Sequence, residues 1–202
     1  WYPAGSAFLS TPFVLAMRLA GLSCIRDGRY EEIAERRAQR ILAALLMAAL
    51  AVVFFVTARQ FLALAPGLAV AAFGAFGTQV WSTASRELWS DTWGILLVAA
   101  AVLVLVTRTR PVLLAALLAL AVFARPANVL PAAAVGVYLA LTDRAASARY
   151  AVAVAVGIAL PWAIYLWNDY RHPSQIYETI AALAAFAVVW KRPFDKPGDG
   201  VN

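Results

Sequence analysis

Residues 111–142 read PVLLAALLALAVFARPANVLPAAAVGVYLALT, and the length of this stretch decides how the rest of the chain is arranged. One straight helix over it would reach about 48 Å at 1.5 Å per residue. The hydrocarbon core of a bilayer is only about 30 Å thick. Arg125-Pro126 stands in the middle. An arginine at the bilayer centre is costly, and a proline interrupts the hydrogen-bond ladder of a helix. The stretch therefore predicts two short helices joined at a polar tip, Arg125-Pro126-Ala127-Asn128. The alternative is a single kinked helix with a buried arginine, which would move every later loop to the opposite side.

The same apolar character extends outward in both directions. The chain has 202 residues, of which 63% are hydrophobic and 14% charged, and its mean hydropathy is +0.75. Soluble domains run near about 45–50% apolar and about 25% charged. A soluble globule of this size has too little interior for so much apolar surface. The composition also excludes a disordered chain, a collagen-like repeat and a disulfide scaffold. Cys24 is the single cysteine and His172 the single histidine, so neither an internal disulfide nor a histidine-built metal centre is expected, and no cofactor is implied. The net charge of +6 does not point to nucleic acid, because the basic residues punctuate apolar runs as they do in membrane proteins.

Further charge-free runs cover Ile41 to Ala58, Phe61 to Ser85, Thr92 to Thr107, Tyr150 to Asn168 and, with Glu178 near its start, Ile176 to Trp190. Trp1 to Met17 is uncharged but carries Pro3 and Pro12, and reads either as a weak span or as an interfacial or re-entrant helix. The fold class is thus read as all-α, a polytopic transmembrane bundle of about seven spans in the inner (plasma) membrane. The chain opens at Trp1 and stops at Asn202 in what reads as mid-domain sequence, so it is read as an internal fragment.

With the hairpin in place, Arg59, Arg108, Arg110, Arg144, Arg149, Lys191, Arg192 and Lys196 fall on one side. Arg26, Arg29, Arg36, Arg37, Arg40, Arg86, Arg125 and Arg171 fall on the other. The tie leaves orientation open by charge alone. It comes from residues 23–40, which also hold Asp27, Glu31, Glu32 and Glu35 and read as an amphipathic helix with a Glu32–Arg36 pair. Setting that stretch aside places the first group in the cytoplasm.

Three polar clusters then share the external side: residues 81–91, the tip at 125–128, and residues 168–178. Arginine pairs with phosphate through a two-pronged fork, and carboxylates accept protons from an attacking hydroxyl. Collected at one face, these groups suit an anionic lipid-linked substrate. The plainer reading is that loops between spans are polar anyway and that Trp81, Trp89 and Trp93 form an interfacial aromatic belt. Arg86 and Arg125 adjoin apolar helix ends, where a charge needs a reason; together with Asn128 they are the candidate substrate-binding residues. The glycines near Gly74 and Gly77 read as helix-packing positions.

Trp1-Tyr2-Pro3-Ala4-Gly5, the run Phe76-Gly77-Thr78-Gln79-Val80-Trp81-Ser82-Thr83-Ala84-Ser85-Arg86, and Phe123-Ala124-Arg125-Pro126-Ala127-Asn128 resemble GT-C membrane glycosyltransferases. The nearest likeness is to bacterial relatives of the dolichyl-phosphate-mannose protein mannosyltransferases. The likeness covers roughly residues 1–168. It implies transfer of a sugar from a polyprenyl-phosphate carrier to an acceptor at the external face, with the bilayer and the lipid-linked donor as partners. The family's catalytic carboxylate would lie upstream of Tyr2, so the resemblance names no catalytic residue in this chain.

The C-terminal stretch resembles another family. His172-Pro173-Ser174-Gln175-Ile176-Tyr177-Glu178, then Lys191-Arg192-Pro193-Phe194 and Pro197-Gly198-Asp199-Gly200, are similar to prolipoprotein diacylglyceryl transferase. Residues 169–202 would then form an external loop and a last span. The alternative function this implies is lipid transfer, with His172, Gln175, Tyr177 and Glu178 near the headgroup. A transporter or another non-enzymatic membrane protein is the third reading; no internal repeat supports it.

Overall fold

The computed structural model describes residues 4–26, 29–77, 90–107 and 110–168. The chain divides into two compact units, Trp1–Trp162 and Ala163–Asn202. Among the described residues the architecture is all-α apart from one pair of two-residue strands. Helix α1 is Ala4–Leu19, followed by strands β1 (Ile25–Arg26) and β2 (Arg29–Tyr30). Then come α2 (Glu32–Ala58), α3 (Leu64–Phe76), α4 (Ser90–Thr107), α5 (Pro111–Ala124), a 3-10 turn at Pro126–Asn128, α6 (Val129–Thr142) and α7 (Arg144–Asn168).

The amphipathic helix expected over residues 23–40 is replaced in its first part by a hairpin. Ile25 pairs with Tyr30 and Arg26 with Arg29, antiparallel. The sequence between the strands, Asp27-Gly28, is the dipeptide that two-residue hairpin loops favour. The rest of that stretch joins the following apolar run in one helix, α2. Its first turns carry the expected Glu32–Arg36 ion pair and a Gln39–Glu35 hydrogen bond of 3.1 Å. Further along, Leu42, Ala43, Leu46, Met47 and Leu50 fall on one buried stripe at helical spacing.

Helix α3 returns along α2. Gly67 lies against the Arg59 side chain and Gly74 against the Phe54 ring, so Gly74 is a packing position as expected. Gly77 instead faces Phe73 of its own helix. Arg59 closes the turn by donating from Nη1 to the Leu62 carbonyl, 2.7 Å. Helix α3 stops at Phe76, well short of the expected run to Ser85, and residues 78–89 lie outside the described set.

The hairpin expected within residues 111–142 is present. Helix α5 ends at Ala124, because Arg125 precedes a proline and adopts extended φ −150°, ψ 116°. A residue before proline is held out of the helical region by the proline ring. The reversal itself follows from α7. Tyr150 of α7 lies against Gly136 of α6, while Gly157 of the same helix lies against Ala119 of α5. Along one continuous helix Ala119 and Gly136 would be roughly 25 Å apart; Tyr150 and Gly157 are separated by only about 10 Å. A single helix can touch both only if the chain has turned back. Leu114, Leu118, Val122, Ala132, Leu139 and Tyr150 accordingly share one buried cluster. Asp143 caps α7, accepting hydrogen bonds from the Ala145 and Ala146 N–H groups at 3.0 Å each, and α7 therefore starts before the expected Tyr150.

Helix α1 packs against the end of α5 and the start of α4. Gly5 abuts the Phe123 carbonyl, Phe8 meets the Phe123 ring, and Phe13 meets Trp93. Met17 joins Ala38, Leu42, Leu46, Trp93 and Ala124 in a second buried cluster.

Large apolar side chains also face outward, among them Leu45, Val52, Leu68, Phe73, Leu130, Val152 and Leu160. Five hydroxyls on the helices are satisfied locally: Ser10, Thr11, Thr57, Thr107 and Thr142 each donate to the carbonyl four residues back. One helix among the described residues, α2, is long and apolar enough to cross a membrane. The shorter apolar helices are Leu64–Phe76, Asp91–Thr107, Pro111–Ala124 and Pro126–Thr142.

Candidate functional site

The tip between α5 and α6 is brought back to the start of α4. Asp91 stands in the first turn of α4, where the free N–H groups of a helix favour a carboxylate. Its Oδ1 forms an ion pair with Arg125 Nη1. The Arg125 side chain is 48% exposed and that of Asp91 29%. Next to Asp91 the chain turns inward at once: Thr92 is 2% exposed and Trp93 7%.

Trp93 is thus an interior residue and not part of an interfacial belt. Its indole Nε1 donates to Ser10 Oγ of α1 at 2.9 Å, and Ser10 in turn donates to the Ser6 carbonyl at 2.7 Å. An indole carries one polar N–H on a large apolar body, and burial requires that N–H to find an acceptor. Ser10, 4% exposed, supplies it.

Asn128 holds the tip together. Its Nδ2 donates to the Ala121 carbonyl at 2.9 Å, and the Arg125 N–H donates to the same carbonyl at 2.9 Å. The amide sits directly over Gly94 of α4: a Cβ there would lie 2.6 Å from Asn128 Nδ2. A glycine at this position is what lets the tip approach α4 so closely.

Beside Asn128 runs a groove of about 360 Å³, walled by Phe54 and Thr57 of α2, Ile95, Val98 and Val102 of α4, and Pro131 of α6. Its polar side chains are already engaged, Asn128 with Ala121 and Thr57 with the Val53 carbonyl. The groove therefore offers an apolar surface, and Asn128 of the charged tip is part of its lining.

Of the residues singled out from sequence, Arg125 and Asn128 are brought together at this tip. Asp91, within a polar cluster but given no role, is the partner that the sequence reading missed. Its signal was its place at the start of an apolar run, where an acidic residue commonly opens a helix. Arg86, Trp81 and Trp89, and the alternative set His172, Gln175, Tyr177 and Glu178, lie outside the described residues. Compared with known proteins, the chain matches no family model, no curated protein and no solved structure.

Proposed function

We propose that this chain is part of a multi-pass membrane protein that binds a phosphate-bearing lipid at the α5–α6 tip. The reaction this serves is transfer of a sugar from a polyprenyl-phosphate carrier to an acceptor at the external face. The observation that carries the reading is Arg125, a half-exposed cation on the same tip as Asn128, which lines an apolar groove, in an otherwise strongly apolar chain. A lipid phosphate needs a fork of donors at its head and dry surface for its chain; the tip and the groove supply one each.

The bilayer reading draws on the same physics. Outward-facing leucine, valine and phenylalanine on α2, α3, α6 and α7 would be costly in water and are ordinary in lipid. Helix α4 reaches about 27 Å along its axis. Helix α5, about 21 Å long, packs beside it, and Ala124 and Trp93 share a cluster. Modest mismatch with a 30 Å core is absorbed by tilt or local thinning, at fractions of about 1 kcal/mol per Å. In sugar transfer, the arginine's part is to neutralise charge on the departing lipid phosphate. Arg86 is proposed as the second such cation, as the glycosyltransferase resemblance implies.

The test is binding of geranylgeranyl phosphate against its neutral twin, geranylgeraniol, to the chain in phosphatidylcholine nanodiscs. The phosphate is expected to bind at least roughly 10-fold more tightly, as a charge-assisted hydrogen bond allows. Arg125→Gln combined with Asp91→Asn, which leaves no orphaned carboxylate, removes that preference. Equal binding of phosphate and alcohol by the parent chain contradicts the proposal.

A further inference from the structure

We propose that Asp91 is an internal counter-anion that an anionic lipid headgroup must displace from Arg125, so that Asp91 holds down the site's preference for anionic over neutral lipids. The proposal rests on the reading of Arg125 as the headgroup's partner. It starts from a question of necessity: whether the Asp91–Arg125 pair holds the tip in place.

The surrounding geometry answers that it does not. The backbone at Arg125 is fixed by its own N–H to the Ala121 carbonyl and by Asn128 to the same acceptor. The tip is fixed on α4 by the close seating of Asn128 over Gly94. Helix α4 is fixed in turn by the buried Trp93–Ser10 hydrogen bond, and α5 by the contact of Gly5 with Phe123. The ion pair adds a half-exposed charge contact to a frame that is already closed, and such contacts contribute little to stability. Its consequence is electrostatic. Asp91 is positioned by the first turn of α4. Arg125 lies on extended backbone between two helices, and its guanidinium can swing without breaking a helical hydrogen bond.

This arrangement has a use in a membrane. A bare, half-exposed arginine at a bilayer surface would be occupied by whatever anionic phospholipid is abundant. A tethered carboxylate lowers the affinity for every anion by the same factor. Weak binders with a single headgroup contact then fall below saturation. A ligand that adds contacts elsewhere, such as a chain lying in the groove beside Asn128, still binds. Asp91 acts through Arg125, so it is a positioning residue and not a catalytic one.

The experiment uses the full chain in nanodiscs containing spin-labelled phosphatidylglycerol, with spin-labelled phosphatidylcholine as the neutral reference. Parent protein is expected to immobilise the two lipids about equally. Asp91→Asn should raise the relative association of phosphatidylglycerol by roughly threefold to fivefold, the range open to a half-exposed ion pair. Asp91→Glu should restore the parental ratio. Asp91→Asn combined with Arg125→Gln should lose the gain. Thermal unfolding of Asp91→Asn should match the parent, and Asp91→Ser provides the same reading with a residue suited to a helix start. An unchanged phosphatidylglycerol ratio in Asp91→Asn overturns the proposal. So does a lowered ratio, which would make Asp91 an anchor that orients Arg125 for binding. Failure of the geranylgeranyl phosphate preference in the parent chain would instead remove the reading of Arg125 on which this rests.

Discussion

Asn128 reaches back seven residues to Ala121, and its Nδ2 donates to a carbonyl, 2.9 Å away, that also accepts the Arg125 N–H. Two donors on one carbonyl close the tip from both sides. The same amide occupies the space that Gly94 leaves open on α4.

That double role predicts a non-additive pair of substitutions. Gly94→Ala places a methyl 2.6 Å from Asn128 Nδ2, with a cost of about 1–3 kcal/mol expected from overpacking. Asn128→Ala removes one hydrogen bond, worth about 1 kcal/mol, and leaves the Ala121 carbonyl its backbone donor. In the double variant the methyl meets no amide, so the loss should fall well below the sum of the single losses. Unfolding in mixed micelles measures all three. Strict additivity would mean the tip does not seat on Gly94.

The Trp93–Ser10 bond predicts an asymmetry. Trp93→Phe deletes the donor and leaves Ser10 its bond to the Ser6 carbonyl. Ser10→Ala leaves an indole N–H buried without an acceptor, at about 1–3 kcal/mol. Ser10→Ala should therefore cost clearly less in a Trp93→Phe background than in the parent. An equal cost in both backgrounds would show that Ser10 does not serve Trp93.

The proposed orientation predicts a labelling pattern. In a Cys24→Ser background, Thr109→Cys and Ser147→Cys should resist an impermeant thiol reagent in intact cells, while Ala127→Cys should react. The reverse pattern would invert the orientation. Reaction of all three positions would remove the membrane-crossing reading of α5 and α6.

The hairpin was legible in the sequence because it is a matter of length: residues 111–142 are too many for one span, and Arg125-Pro126 marks where the helix has to stop. The Glu32–Arg36 pair was legible because helical spacing alone brings those side chains together. The partner of Arg125 was not. Asp91 is distant in sequence, and only the return of α5 along α4 brings the two together. Trp93 was read as interfacial because a tryptophan near a span end carries the same sequence signal whether it faces lipid or a neighbouring helix. Its burial depends on α1 packing at that end and on Ser10 being there to accept the indole proton. The strand pair Ile25–Arg26 and Arg29–Tyr30 has a local signal in the sequence Asp27-Gly28 between them, which helical charge spacing alone does not register.

The central claim is that a lipid phosphate sits at Arg125 with its chain in the adjoining groove. The most direct measurement is photo-crosslinking of geranylgeranyl phosphate carrying a diazirine in its first isoprene unit, followed by peptide mapping of the labelled chain. The account predicts adducts on Ile95, Val98 and Pro131, lost on competition with unlabelled geranylgeranyl phosphate and lost in Arg125→Gln combined with Asp91→Asn. Adducts spread over outward-facing residues such as Leu68, Phe73 and Val152, in proportion to their exposure and insensitive to competitor, would contradict it.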